Sequence, residues 1–532
     1  MDVSLFEIIG PKMMGPSSSA TAGMVQLGAT CHKFLTGPIS SIDLRFVPSM
    51  EQSYYSWRSH LALIGGVIGI KEDDSRLLDA IAICKEQGIS LSYSLFKAPV
   101  PPMQLTVQIT CEQKNGEVHT LYGISVGGGS IKVEQIDGFS VAPTATEAHL
   151  FVFADQDVGA GLMQALSGCT LRSHDEQGGK HLYCISVPED AHEALQKAAC
   201  TVPGVTRAQY IAPFVTLGFV PHEPLFTNYS DILELSKKTG KTVPELAIEY
   251  EINRSGRTRE AIWNDMAGML DVMKTSAKES MEQTLKPLCG FNSGNEGKKI
   301  LAAYQSGKLL GGTIMPKALA LAVGIMEYSG SCHSIVACPT AGCSGLVPAC
   351  LLTVAEAKGL GDEKLIESLF VAAAIGAVMA HHKVSFSGNN GGCQGEVGVG
   401  SAMTASALAY LGGGDTETII QACALAMKNI LGLICDPLKS GGEIPCIKRN
   451  GVGVGNAFSG CDMALSGVKS FIPCDEVIDS LYHIQEKLFR SPEFKKLKNT
   501  EGIGASWTPT GKATIQTAQE LSRDILLPKK EW

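Results

Sequence analysis

The chain has 532 residues, 45% hydrophobic and 18% charged, with a formal net charge of −9. That length exceeds what one hydrophobic core holds, so two to four domains are expected. The acidic balance and the lack of a lysine- or arginine-rich tract exclude a general nucleic-acid binder, which needs a basic face.

The first residues, Met1-Asp2-Val3-Ser4-Leu5-Phe6-Glu7, carry neither the basic stretch nor the apolar core of a secretory signal. The longest apolar runs, such as Leu369 to Ala380, fall short of the roughly 18 residues of a membrane span, so no membrane partner is expected. Seventeen cysteines in such a chain read as reduced thiols plus a metal site in a cytoplasmic setting, not as disulfides.

Residues 1–142 read as an α+β unit. Gly15-Pro16-Ser17-Ser18-Ser19 leads into helical spacing from Met24 to Leu35. A serine there caps a helix; three after Gly-Pro exceed what a cap requires, and the same geometry binds a carboxylate. Alternating runs at 41–47, 105–110 and 120–126 predict strands, with a helix at 77–87 between them and a Gly127-Gly128-Gly129 loop after them. Residues 146–215 read strand, helix, strand, helix, strand, with an extra strand near Thr170, which predicts a small ferredoxin-like module with the loop Asp155-Gln156-Asp157-Val158-Gly159. A proline-bearing linker is expected at 216–225, a mostly helical domain at 226–490, and a partly ordered tail at 491–532 that contains no cysteine.

The chemistry concentrates in the helical part. Ser385-Phe386-Ser387-Gly388-Asn389-Asn390-Gly391-Gly392-Cys393-Gln394-Gly395-Glu396-Val397-Gly398 is a glycine-rich loop around one cysteine, and Cys435 and Cys446 follow in Asp/Pro loops of their own. A buried free cysteine is usually an apolar filler, and no Cys-x-x-Cys pair is present; these three differ in sitting in loops instead of apolar periodic runs. Read as ligands of one cubane, three thiolates leave one iron without a protein ligand, and a catalytic metal needs such an open position. Thr340 and Ser344 open the helix at Leu346, a second place to hold a carboxylate. His381 and His382, ahead of the loop, are either a base or partners of a helix end.

The stretch 226–473 resembles the alpha portion of the iron–sulfur-dependent L-serine dehydratases. The residues that carry the likeness are Cys338-Pro339-Thr340-Ala341-Gly342-Cys343-Ser344-Gly345, Gly392-Cys393-Gln394-Gly395-Glu396-Val397-Gly398, Cys435-Asp436-Pro437 and Ile444-Pro445-Cys446-Ile447-Lys448-Arg449-Asn450. More loosely, residues 1–142 resemble the beta portion of the same enzymes through Ile8-Ile9-Gly10-Pro11, the serine triplet and Gly123-Ile124-Ser125-Val126-Gly127-Gly128-Gly129, and 146–215 resembles their ACT-type regulatory domain. The resemblance implies a [4Fe-4S] cluster on Cys393, Cys435 and Cys446, with Cys343 outside the ligand set and no pyridoxal phosphate. It further implies elimination of water from L-serine to give pyruvate and ammonia, a role in amino-acid metabolism and gluconeogenesis, a hydroxy amino acid as the small-molecule partner, and a homo-oligomer.

Two positions depart from the family pattern. Ala20 follows the serine triplet where the family has histidine, and Tyr55-Ser56-Trp57-Arg58-Ser59-His60 falls on the family's Lys-Gly-His-Gly-Thr-Asp, so Trp57 replaces a second histidine. His60, one turn on, is a candidate substitute base. The alternatives left open are a dehydratase of a different hydroxy acid and a non-catalytic iron–sulfur sensor.

Overall fold

The chain was analysed as a computed structural model that describes residues 3–51, 53–97, 105–144, 147–213, 222–436, 438, 441–500 and 502–530. Most of the expected linker, and Pro437, lie outside them. The first described residues pack with the helical part of the chain. Ser4 caps the single turn Leu5–Ile8 and its own amide donates to the Glu7 carboxylate at 2.7 Å, a capping box. Leu5, Phe6, Ile8 and Ile9 are buried in the core of the helical domain. The buried carboxylate of Glu251 receives the Ser4 hydroxyl at 3.0 Å and the Leu5 amide at 2.8 Å and pairs with the buried Arg254 at 3.2 Å. The strand Lys12–Met14 then pairs antiparallel with Ser334–Val336, Lys12 opposite Val336 and Met14 opposite Ser334.

From there the chain builds a six-stranded sheet in the order Ser90–Leu95, Ile39–Phe46, Thr106–Gln113, Val118–Gly127, Ser130–Ile136, Phe139–Ser140. Only the first pair is parallel, because the long connection through helix Ser59–Val67 lies between its two strands. Helix Gly23–His32 lies on this sheet against helix Ser59–Val67. Their backbones touch: a Cβ on Gly28 would stand 2.3 Å from the Leu63 carbonyl oxygen, and one on Gly66 2.2 Å from that of Val25. Any larger residue would force the two helices apart.

The second unit has the expected ferredoxin-like order. Its antiparallel strands run Val205–Ile211, Ala148–Ala154, Lys180–Val187, Thr170–Gln177. Leu150, Val152, Tyr183 and Ile185 pack with Leu162 and Ala199 of its two helices. The opposite face, with Phe151, Leu182 and Cys184, merges into the core of the first unit.

The remainder is helical around the buried helix Asp362–His381. This helix is long and apolar enough to cross a membrane, and 83% of its apolar window is buried inside the protein. Two features differ from the sequence reading. Cys446, expected in a loop, sits in the first turn of a helix that begins at Pro445 and runs to Leu465, since proline at the first helical position suits a helix start. The C-terminal segment is folded: a turn at Gly504–Trp507 and helix Pro509–Leu521 cross back to the first unit. Tyr55 Oη donates to the Ile515 carbonyl at 3.2 Å. Lys529 bridges in parallel to Tyr93 on the edge strand, where the Tyr93 amide donates to Pro528 O at 2.9 Å and the Lys530 amide to Tyr93 O at 2.7 Å. Ala518 and Leu527 enter the first unit's core.

Leu527→Ala is expected to cost about 2–5 kcal/mol, as for other buried leucines. Phe471→Ala, at a side chain 93% exposed, should shift stability by less than about 0.5 kcal/mol. Denaturant midpoints of the two variants measure both; equal, negligible shifts would mean that the C-terminal segment does not dock.

Candidate functional site

The serine stretch is the start of a long helical run. Ser17 is extended and its Oγ accepts from the Ala20 amide at 3.0 Å; residues 18–22 form a wide turn that continues into helix Gly23–His32. Ser17 therefore caps. The hydroxyls of Ser18 and Ser19 have no hydrogen-bond partner among the described residues, and all three serines line a cavity of about 500 Å³. Two hydroxyls and the free amides of a helix start face a space large enough for a small molecule, an arrangement that suits an anion.

Two of the three expected cysteines belong to the lining of the same cavity. The loop 385–398 is held by Gln485, whose Oε1 accepts from the Ser385 amide at 2.7 Å while its Nε2 donates to the Ser385 carbonyl at 3.0 Å. Gly392 has φ +73°, where a Cβ would strike the Phe489 ring at 2.6 Å. This turn presents Cys393, buried, at the head of a short turn Cys393–Gly395. Cys435 and Cys446 line the cavity. Cys446 occupies a helix N-terminus, where the dipole favours a thiolate.

Burial, reinforced by the Glu396 charge, pushes the Cys393 thiol up to about 11, against the nearby Arg449 guanidinium. Burial likewise raises Cys435 to about 12 and Cys446 well above the ordinary thiol range. Cys435 and Cys446 both feel Cys393, so the three share one neighbourhood. Among the described residues, no three His, Cys, Asp or Glu side chains stand close enough together to ligate a single metal ion.

The other expected residues divide. Thr340 is buried and reaches the cavity through Glu396, to whose Oε1 it donates at 3.1 Å. Ser344 turns away, donating to the Ala341 carbonyl at 2.9 Å. Cys343 is buried beside the Cys338 carbonyl at 3.1 Å. None of the three candidate histidines lines the cavity. His60 is fully buried between the carbonyls of Tyr54, at 3.3 Å, and Ile525, at 2.9 Å; burial lowers its pKa to about 3, so it stays neutral and its ring is occupied with backbone. His381 meets Tyr250 Oη at 2.9 Å, and His382 meets Asp479 at 2.7 Å and Asn228 at 3.1 Å, both in the helical domain. Ala20 and Trp57 do line the cavity. Thr21 Oγ1 donates to the Trp57 carbonyl at 3.0 Å, and the point where Gly442 would carry a Cβ lies 3.3 Å from the Trp57 ring and 3.0 Å from Cys446 Sγ.

Sequence reasoning missed Glu396 as a proton carrier. It lines the cavity, and burial pushes its pKa up to about 7, opposed by the Thr340 hydroxyl and the charges of Lys498 and Arg449. The available signal was that Glu396 is the only acidic residue in the stretch 385–398. A carboxyl that titrates near neutrality suits proton transfer. The third wall, with Lys498, Ser506 and Lys512, comes from the C-terminal segment, which is fixed where the Ala505 amide donates to Asp436 Oδ1 at 2.5 Å.

Residues 238–498 match a family profile described as serine dehydratase alpha chain. The chain is 37% identical over 288 residues to the probable L-serine dehydratase alpha chain of Bacillus subtilis (strain 168), covering 54% of this chain and 93% of that one. It is 34% identical over 300 residues to the L-serine dehydratase alpha chain of Peptoniphilus asaccharolyticus, covering 56% and 97%. It is also 29% identical over 217 residues to the probable beta chain from Bacillus subtilis, covering 39% and 98%.

Glu396 also makes stability depend on pH. Its folded pKa, about 7, lies above the unfolded value, so its contribution is complete below about pH 4.5 and lost as pH rises through 7. In chelator-treated protein, Glu396→Gln is expected to remove a fall on the order of 3 kcal/mol across that window. Denaturant unfolding at pH 4.5, 6 and 8 checks this; parallel pH profiles for the two proteins would show that folding does not shift the Glu396 carboxyl.

Proposed function

We propose, for a chain that belongs to the L-serine dehydratase family, that it is a lyase that removes water from L-serine and releases pyruvate and ammonia. The observation that carries the reading is that one cavity of about 500 Å³ has a lining that includes Ser17, Ser18 and Ser19, Cys435 and Cys446, and Glu396.

Cys393, Cys435 and Cys446 would hold a [4Fe-4S] cluster with one iron free of cysteine. Several features of the site fit such a group. Three neighbouring thiols are kept neutral by burial, so their thiolates call for a cationic partner. Glycine lines the space beside the sulfurs: a Cβ on Gly388 would lie 3.4 Å from Cys435 Sγ, and one on Gly442 3.0 Å from Cys446 Sγ. A cluster spreads its cysteines around a cube and does not need them to converge on one point. When bound, it supplies a Lewis-acidic iron that weakens the bond from C3 to the hydroxyl oxygen.

The chain's own residues do the rest. The Ser18 and Ser19 hydroxyls and the helix start hold the substrate carboxylate. Thr340 orients Glu396 by its hydrogen bond. Glu396, as carboxylate, takes the proton from Cα and returns it to the departing oxygen, so water leaves and no net proton is consumed. The remaining enamine tautomerises and is hydrolysed to pyruvate and ammonia. No lysine Schiff base is needed, hence no pyridoxal phosphate. The ferredoxin-like module serves as an ACT-type regulatory unit, and the protein works as a homo-oligomer in a reducing cytoplasm, feeding amino-acid carbon towards gluconeogenesis.

A second reading rests on Ala20 and Trp57, which both line the cavity. With two family histidines replaced, the substrate is then another 3-hydroxy acid and not serine.

Cys393→Ser, Cys435→Ser and Cys446→Ser are each expected to lose iron and sulfide after anaerobic reconstitution, while Cys343→Ala keeps them; elemental analysis decides. Reconstituted protein should release pyruvate from L-serine faster than oxo acids from a panel of larger hydroxy acids. Glu396→Gln should slow that release by about 10²–10⁴-fold with iron content unchanged. A full cluster with no turnover of any hydroxy acid would rule out the enzyme in favour of a sensor.

A further inference from the structure

The residues that hold the substrate carboxylate and move its proton leave its ammonium group unpaired. Glu443 belongs to the lining of the same cavity and is 6% exposed. The turn 289–292 holds its carboxylate. Oε1 accepts from the Cys289 amide, and Oε2 from the Phe291 amide at 3.0 Å and the Asn292 amide at 3.3 Å. Three N–H donors favour the ionised form, against burial, which pushes its pKa up. Among the described residues no lysine, arginine or histidine forms an ion pair with it. The Arg58 guanidinium feels the Glu443 charge but donates to the Tyr55 carbonyl, at 3.2 Å.

A second unpaired group stands at the same corner. Ser56 is buried and also lines the cavity, and its hydroxyl makes no hydrogen bond of ordinary geometry among the described residues. The point where Gly441 would carry a Cβ lies 3.5 Å from Ser56 Cβ and 3.7 Å from Cys289 Sγ. Ser56, the turn at Cys289 and the segment 441–443 therefore adjoin. Gly442, next to Glu443, abuts Cys446 Sγ and the Trp57 ring. Buried charges and hydroxyls are normally paired. Here one of each lacks a partner on the wall of a cavity that admits a small molecule.

We propose that Glu443, assisted by Ser56, binds the α-ammonium of the substrate and so selects 2-amino-3-hydroxy acids over hydroxy acids without the amino group. The inference rests on the dehydratase reading for its substrate. A zwitterion carries opposite charges on one carbon. Its carboxylate goes to the helix start, where the partial charge is positive, and its ammonium to an unpaired carboxylate beside Cys446. Two charges held in two places fix the orientation of Cα. A site built to hydrogen-bond a substrate N–H rejects the analogue that lacks it, because its own buried acceptors are then left unpaired. Any larger substrate that Ala20 and Trp57 admit must by this argument still carry the amino group.

The test uses the reconstituted full chain and two ligands that differ only in the ammonium, L-serine and 3-hydroxypropanoate. KM and kcat for L-serine and the inhibition constant of 3-hydroxypropanoate are measured, with calorimetric binding of both ligands. The unsubstituted protein is expected to bind L-serine about 10–100-fold more tightly, the range of a hydrogen bond to a charged group. Glu443→Gln should raise KM for L-serine by about the same 10–100-fold with a smaller change in kcat, the pattern of lost ground-state binding. Binding of 3-hydroxypropanoate should stay unchanged. Ser56→Ala, which keeps the charge and the turn, should lower the preference by less. If Glu443→Gln loses both ligands together, the turn 289–292 has failed and Ser56→Ala decides. Equal weakening there as well, or an unchanged preference, would overturn the pocket, as would an unsubstituted protein that does not distinguish the two ligands; each leaves the dehydration standing. Conversely, a calorimetric preference for L-serine that Glu443→Gln abolishes, without any turnover, would keep the pocket and sink the reaction.

Discussion

A short antiparallel ribbon sets the geometry of the whole site. Lys12–Met14 pairs with Ser334–Val336, and further backbone hydrogen bonds extend the pairing at both ends: Gly10 N to Ala337 O at 2.8 Å, Ala337 N to Pro11 O at 3.1 Å, and Gly15 N to His333 O at 3.1 Å. The serine stretch leaves one strand within a few residues, and the loop bearing Thr340 leaves the other. Approach is so close that a Cβ on Gly15 would lie 2.1 Å from the Ser329 carbonyl oxygen. Two loops more than 300 residues apart in sequence are thereby fixed on one cavity without any long side chain to bridge them.

The cavity then draws its walls from three remote parts of the chain, and each contributes a different physical property. The first unit brings a helix start and free hydroxyls, a polar surface of fixed partial positive charge. The helical domain brings thiols and Glu396 in a buried setting, where proton affinities rise. The C-terminal segment brings the lysines and closes the space. Its attachment at Asp436, next to Cys435, and at Tyr93 on the sheet edge ties the thiol wall to the serine wall. The whole assembly is thus a joint held on two sides, by the ribbon and by this strap.

Much of this was legible in the sequence. The strand and helix order of the ferredoxin-like module follows from alternation and helical spacing, local signals that need no partner. The serine triplet and the three cysteines stood out because they broke periodic patterns. Other features were not readable, for one common reason: they depend on contacts far away in the chain. The residues after 503 looked like a tail because their partners, Tyr55, His60 and Tyr93, lie more than 400 positions earlier. Glu396 looked like one more member of a motif, since burial, not residue type, raises its proton affinity. The histidines attracted notice by chemistry alone, and tertiary structure turned each to a structural partner. Cys446 was assigned to a loop because proline before it suggested a break, whereas proline at the first helical position begins a helix.

The placement of Leu5 to Ile9 inside the helical core bears on how the chain is made. They are made well before the partners that bury them, Glu251 and the long central helix, which are synthesised only after some 250 to 380 further residues. The N-terminal segment must therefore wait, apolar and unpaired, while the sheet and the ferredoxin-like module fold behind it. The helical domain in turn cannot finish its core from its own sequence. Residues made early are thus among the last to settle, and the completion of one half of the molecule is recorded in the other.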